Sequence, residues 1–289
     1  MISVLEVIKR TADFFAARGI ESPRLNAELL VGHSLGLKRM QLYLQFERLL
    51  TEPELESIRP LVRRRGAREP VQYILGETEF GGLKLKVDRR ALIPRPETER
   101  LVELLVQRCL PPPVTVLDLG TGSGAIALAL AAAWPSCSAT GVDRSPDALA
   151  LAGENAAATG LKERTSWLQS DWFAAVPSGA RFELIVSNPP DLTARETAGA
   201  MAEVKDFEPI AALMAAENGL ADLRQIIGAA RQFVLPGGRL ALETGPEQHA
   251  ALKAMSEAAG WTSFESLPDL AGRDRFVFLG VERVVSHAL

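Results

Sequence analysis

A short buried strand that ends in a glycine turn and runs straight into an alanine-rich helix leaves a chain few choices of fold. Val114–Leu119 is such a strand, Asp118-Leu119-Gly120-Thr121-Gly122-Ser123-Gly124 is the turn out of it, and Ala125–Ala133 is the helix. The pattern then repeats. Ala139-Thr140-Gly141-Val142-Asp143 reads as a second strand with an acid at its end, and Ser145-Pro146 caps a helix that closes at Gly160. Thr165–Gln169 is a third strand ending at Ser170-Asp171-Trp172-Phe173, and Phe182–Val186 a fourth ending at Asn188. A helix is expected over Leu220–Leu235, a fifth strand over Gly238–Thr244, a helix over Gln248–Ala259, and a final pair over 262–267 and 275–281. Strands separated by helical segments require a mostly parallel sheet with both faces covered. The expected class is α/β: a doubly wound sheet of seven strands whose last hairpin is antiparallel.

The front of the chain reads differently. Ser3-Val4-Leu5-Glu6 has the form of a capping box, followed by Leu5, Ile8, Ala12, Phe15 and Ala16 at helical spacing as far as Gly19. Ser22 and Pro23 open a second helix towards Gly36, and Thr51-Glu52-Pro53-Glu54 opens a third that ends near Gly66. Residues 1–75 therefore form a small helical bundle. Glu77–Val87 reads as a short strand pair about Gly81-Gly82, so 76–95 is a β-hairpin connector and 96–289 the α/β domain. The charge splits along the same line: 17 Lys+Arg against 12 Asp+Glu over 1–95, and the remaining 15 against 24 over 96–289. Arg63-Arg64-Arg65 with Arg68 suits either the negative end of a helix dipole or a nucleic-acid patch.

Several classes are set aside. There is no uninterrupted apolar run of 18 residues and no signal-peptide order at the start, which gives a cytoplasmic expectation without a membrane. Cys109 and Cys137 have no paired spacing, and His33, His249 and His287 are scattered as surface or capping residues, so no metal is expected.

In a doubly wound sheet the ligand lies beyond the carboxyl ends of the strands. The glycine turn, Asp143, Asp171-Trp172 and Asn188 meet there by construction. Glycines let backbone approach a ligand, and the Asp143 carboxylate can accept from both hydroxyls of a ribose. A glycine turn with an acid about 20 residues on also describes a nicotinamide dinucleotide site. Two features favour S-adenosylmethionine instead. Asp118 could engage the ammonium of a methionine moiety, where dinucleotide phosphates would be repelled. Ser187-Asn188-Pro189-Pro190-Asp191 forms a stiff, polar-edged platform in which the Asn188 side-chain carbonyl and the Pro189 backbone carbonyl can both accept from one planar –NH2 group.

Asn188-Pro189-Pro190 after the glycine motif resembles the amino-methylating branch of the class I methyltransferases. Longer stretches resemble the HemK/PrmC family of protein-(glutamine-N5) methyltransferases of peptide-chain release factors, essentially from end to end. They are Pro70–Gly76, Leu92-Ile93-Pro94-Arg95-Pro96-Glu97-Thr98-Glu99, Asp118–Ala127, Phe207-Glu208-Pro209 and Asp269-Leu270-Ala271-Gly272-Arg273-Asp274-Arg275. The resemblance implies an S-adenosyl-L-methionine site at Asp118, Gly120, Thr121, Gly122, Ser123, Gly124, Asp143, Asp171 and Trp172, with Asn188 at its edge. It implies an acceptor site at Asn188, Pro189, Pro190 and Asp191, of which Asn188 and Pro189 are catalytic. The substrate it implies is the glutamine of a Gly-Gly-Gln loop in class 1 release factors, with the helical domain helping to dock that partner and no direct nucleic-acid binding. A nucleic-acid amino-methyltransferase and a donor-binding protein without catalysis are the alternatives. At position 191 the family pattern has an aromatic residue. Asp191 is expected to turn outward as N-cap of a turn from Leu192, or else to accept the departing proton.

Overall fold

The computed structural model describes residues 2–282, and His287 lies outside that range. The chain divides into two compact units: residues 1–77 with Met201–Phe207, and the rest.

In the first unit, strand β1 (Ile2–Ser3) pairs antiparallel with β2 (Leu49–Leu50), and the helices are α1 (Val4–Ala16), α2 (Pro23–Leu35), α3 (Arg39–Tyr43), α4 (Glu52–Gly66) and α5 (Val71–Leu75). Val4, Ile8, Phe15, Leu30, Val31, Leu42, Leu50 and Ile58 share one core. Thr51 and Glu54 make the reciprocal capping box at α4. At α1 only half of it forms: Ser3 Oγ accepts from the Glu6 N–H, while the Glu6 side chain binds Arg10. Ser22 does not cap α2 through its side chain, because its backbone is left-handed at φ 46°. Arg63, Arg64 and Arg65 stand in the last turn of α4, as the dipole reading has it, and most of the arginine cluster is paired rather than a free basic patch. Arg65 is buried and donates to Asn26 Oδ1 and Glu203 Oε1, Arg68 donates to Glu203 Oε2, and Arg64 pairs with Glu69.

The second unit holds the hairpin β3 (Glu77–Phe80) and β4 (Leu83–Lys86), then α6 (Pro96–Arg108). Phe80 and Leu85 pack into the same core as Leu101 and Leu105 of α6. The sheet follows as β5 (Thr115–Leu119), α7 (Ala125–Ala133), β6 (Ser138–Asp143), α8 (Pro146–Ala158), β7 (Thr165–Gln169) and β8 (Phe182–Ser187). Between β8 and the next strand come α9 (Ala194–Gly199), α10 (Ala202–Lys205, grouped with the first unit), α11 (Ala216–Gly219) and α12 (Ala221–Ala230). The chain then runs through β9 (Val234–Glu243), α13 (His249–Ala258), β10 (Ser263–Pro268) and β11 (Asp274–Gly280).

The strand order is β10-β11-β9-β8-β5-β6-β7. The pairs from β9 to β7 are parallel, and β11 is antiparallel to both its neighbours. The doubly wound seven-stranded expectation therefore holds. Alternation along each strand sends Val116, Leu184 and Val186 to one face, against α6 and α7. It sends Leu117, Leu119 and Ile185 to the other, against Leu223, Ile226 and Leu252 of α12 and α13. His249 is a core residue rather than a surface or capping one, with its ring bonded to Thr244 Oγ1 at 2.8 Å and Ser266 Oγ at 2.7 Å.

Candidate active site

A cavity of about 250 Å³ opens at the carboxyl ends of β5, β6, β7 and β8. Its wall includes Gly120 and Gly122, Asp143, Ser170, Asp171 and Trp172, and Asn188 and Pro190. The rim is completed by Arg90-Ala91-Leu92, by Pro209, Ala211, Ala212 and Met214, and by Asp222. Most residues singled out from the sequence thus share one cavity.

The turn after β5 is shaped by its neighbour strand. The Gly120 and Thr121 N–H groups both donate to Val142 O, at 2.8 and 2.9 Å. That folds the backbone back across β6 with Gly120 at φ +70°, a conformation L side chains avoid. Asp143 serves the turn as well. Its Oδ2 accepts from the Gly122 N–H and its Oδ1 from the Ser145 N–H, both at 2.9 Å, so the carboxylate is held in place at the cavity wall by backbone N–H groups. Ser145, not Asp143, caps α8, through Ala148.

Asp118, Thr121, Ser123 and Gly124 are not in the cavity wall. Asp118 is fully buried, and its Oδ2 accepts from Thr121 Oγ1 at 2.6 Å and from the Ala127 N–H at 3.2 Å. The carboxylate ties the turn to the first turn of α7. Its Oδ1 has no partner among the described residues, and burial pushes the group up to about 7. Gly124 is a packing glycine, since a Cβ there would lie 2.9 Å from the Trp167 ring.

Trp172 holds a left-handed backbone at φ 45°, an uncommon state for a bulky residue. Its Nε1 donates to Asp222 Oδ1 at 3.2 Å. That bond fixes the ring as a flat wall, suited to an aromatic base, and Asp171 stands exposed beside it.

Asn188 follows β8, with Pro189 buried and Pro190 on the cavity. Its Nδ2 donates to Thr98 Oγ1 at 2.9 Å, and Thr98 Oγ1 donates to Glu243 Oε2 at 2.7 Å. Thr98 and Glu243 escape sequence reasoning: a threonine in the first turn of a helix and an acid at a strand end look ordinary. The Arg95 guanidinium donates to both oxygens of Glu208, at 2.7 and 2.9 Å, which joins two of the motifs quoted above at the cavity rim.

Asp191 does not turn outward. Its side chain is mostly buried, 3.5 Å from Arg275 Nη1, and the N-cap that follows is Thr193 with Glu196. Burial raises its pKa against the pull of Arg275. It is absent from the cavity wall.

Among the described residues no group of three or more His, Cys, Asp or Glu could hold a metal ion, and no helix is long and apolar enough to cross a membrane. The sheet topology, the glycine turn with its answering acid, and the flat tryptophan define an S-adenosylmethionine-dependent methyltransferase. A family model described as the PrmC N-terminal domain matches residues 6–76, and one described as the methyltransferase small domain matches 97–204. The release factor glutamine methyltransferase of Vibrio cholerae is 41% identical over 274 residues, covering 95% of each chain. That of Salmonella typhimurium is 43% identical, covering 89% of this chain and 92% of its own. The chain belongs to the release factor glutamine methyltransferase family. Among solved structures, the hMettl16 catalytic domain superposes with a TM-score of 0.55 at 17% identity, covering 80% of this chain and 82% of its own. A 16S rRNA methyltransferase of T. Thermophilus gives 0.53 at 22%, covering 71% and 50%. These two share the fold.

Proposed function

We propose that this protein transfers a methyl group from S-adenosylmethionine to the side-chain N5 of the glutamine in the Gly-Gly-Gln loop of class 1 peptide-chain release factors. In this reading Gly120 and Gly122 line the methionine and ribose, with Thr121, Ser123 and Gly124 shaping the turn behind them, Asp143 holds the ribose hydroxyls, and Asp171 and Trp172 border the adenine. Asn188, Pro189 and Pro190 take the acceptor amide, with Asp191 behind them. The helical unit formed by residues 1–75 helps to dock the large substrate, and the reaction takes place in the cytoplasm without direct binding to nucleic acid.

The observation that carries the reading is the placement of Asn188. With Nδ2 tied to Thr98, its Oδ1 is the end left for a ligand in the cavity. A carboxamide nitrogen shares its lone pair with the carbonyl and attacks a methyl sulfonium poorly. Two acceptors, Asn188 Oδ1 and the Pro189 carbonyl, would orient the –NH2 in line with the S–CH3 bond and stabilise the positive charge that develops on nitrogen. As the N–C bond forms, the S–C bond breaks and its electrons return to sulfur as a thioether. The nitrogen then loses a proton to solvent.

The test is mass spectrometry of a purified class 1 release factor, and of a Gly-Gly-Gln peptide, after incubation with donor and this protein. A gain of one methyl on the loop glutamine is expected. Methyl transfer into DNA or RNA with none into the release factor would overturn the assignment, as would donor binding with no methylated product.

A further inference from the structure

The –NH2 end of a primary amide in the acceptor pocket offers only N–H donors, so Asn188 can bind the reacting nitrogen only through Oδ1. The two ends of the Asn188 side chain have nearly the same shape, and something must decide which one faces the cavity. The decision is made by proton counting along three side chains. Asn188 Nδ2 lies 2.9 Å from Thr98 Oγ1, which lies 2.7 Å from Glu243 Oε2. Thr98 has one hydroxyl proton, and an ionised carboxylate can only accept. With Glu243 ionised, Thr98 must donate to it, so Thr98 Oγ1 can only accept from Asn188, and Nδ2 turns inward.

The fold builds this row directly. β8 and β9 run parallel with Ser187 opposite Leu242, which sets Asn188 beside Glu243 just past the paired ends. Thr98, in the first turn of α6, lies between them in hydrogen bonding. Thr98 is 5% exposed and Glu243 6%, so water has little room to replace either partner.

We propose that Thr98 and Glu243 are positioning residues that hold Asn188 with its Oδ1 towards the acceptor amide. The proposal rests on the acceptor role given to Asn188 above. Were Glu243 to carry a proton, it could donate to Thr98, Thr98 could donate to Asn188 Oδ1, and the amide could turn over to present Nδ2. A donor would then face a donor. Burial pushes Glu243 up to about 7, with the Thr98 hydroxyl and Arg275 lowering it and Asp191 and Glu97 raising it, so the row changes direction within the neutral range. Turnover therefore falls on the acid side of about pH 7 through the orientation of Asn188.

The experiment measures kcat against pH on the purified release factor, with donor Kd by calorimetry, for the wild-type full chain and the variants T98V, T98S, E243Q and N188A. T98V, which keeps the shape and loses the hydroxyl, should lower kcat about tenfold with little change in donor Kd, and T98S should restore most of it. E243Q, which can neither ionise nor dictate direction, should flatten the acid limb of the kcat profile. If N188A lowers kcat about a hundredfold while T98V stays near wild type and E243Q keeps the wild-type acid limb, the positioning proposal is overturned and the acceptor role of Asn188 stands. If N188A itself keeps the wild-type rate, the acceptor reading fails and this inference falls with it. Should T98V not fold, the E243Q pH profile decides alone.

Discussion

The ring of Trp172 lies 3.4 Å from the point where a β-carbon on Gly120 would stand. The first glycine of the turn is therefore doubly constrained, by φ +70° and by an aromatic wall held on Asp222. Gly120→Ala should cost about 1–2 kcal/mol in backbone strain and push Trp172 from the cavity. Donor affinity is expected to fall about tenfold or more, read by calorimetry together with a change in tryptophan fluorescence. Wild-type affinity would mean that the ring is not part of the donor site.

Asp118 gives a stability test with a definite sign. Its folded pKa is raised from 3.8 to about 7, so the native state holds the proton more tightly than the unfolded chain. The stability this contributes is complete below 3.8 and is lost as pH rises through about 7. Asp118→Asn removes that loss. The variant's Tm relative to wild type should be higher at about pH 8 than at about pH 5. An identical difference at both would show that Asp118 does not titrate in the fold.

In the first unit, Arg65 and Glu203 form a buried pair at 2.9 Å. Arg65→Ala leaves the Glu203 carboxylate with Arg68 alone and strands Asn26 Oδ1, at an expected cost of about 3–5 kcal/mol by denaturant unfolding. Replacing the pair together, as R65M with E203L, should cost less than the sum of the single changes. Burial raises the Glu203 pKa, but the bonds from Arg65 and Arg68 contribute to a net lowering. The pair's contribution is thus present above the ordinary 4.5 and is lost as pH falls through the lower folded value.

Asp191 faces Arg275 and stands off the cavity wall, which argues against a part in proton removal. Asp191→Asn should change kcat by less than about threefold, and a fall of about a hundredfold would make it a working base. Asp191→Tyr should raise the rate by adding a ring beside the acceptor. It should also lower Tm, because Arg275, whose Nε is already buried without a partner among the described residues, loses its facing carboxylate.

How much of this was legible in the sequence depends on whether the signal was local. Strand ends announced by Asp143 and Asn188, and the strand Thr165–Gln169, are local patterns of apolar run and polar stop, and the fold honours them. Ser22 misled because an N-cap needs an extended backbone as well as a hydroxyl, and Ser22 is left-handed. α3 and α5 were missed because five residues are too few to display a helical stripe. Thr98 and Glu243 lie 90 and 55 positions from Asn188. Only the parallel register of β8 and β9 brings Glu243 alongside, and no periodicity in one sequence states which strands are neighbours. The burial of Asp191 was missed for the same reason, since its partner Arg275 comes from the far hairpin.

Residues 201–207 belong with the first unit although both flanking segments belong to the second. The peptide chain thus passes between the units at 77–78, 200–201 and 207–208, so the methyltransferase unit is not a simple carboxyl-terminal fragment. Deleting the first 77 residues would take away Arg65 and Arg68 and leave Glu203 an unpaired carboxylate only a dozen positions beyond the acceptor motif. Exchanging front halves between family members would therefore have to exchange this seven-residue stretch with them. The inheritance of the helical unit is written in two separate places along the gene.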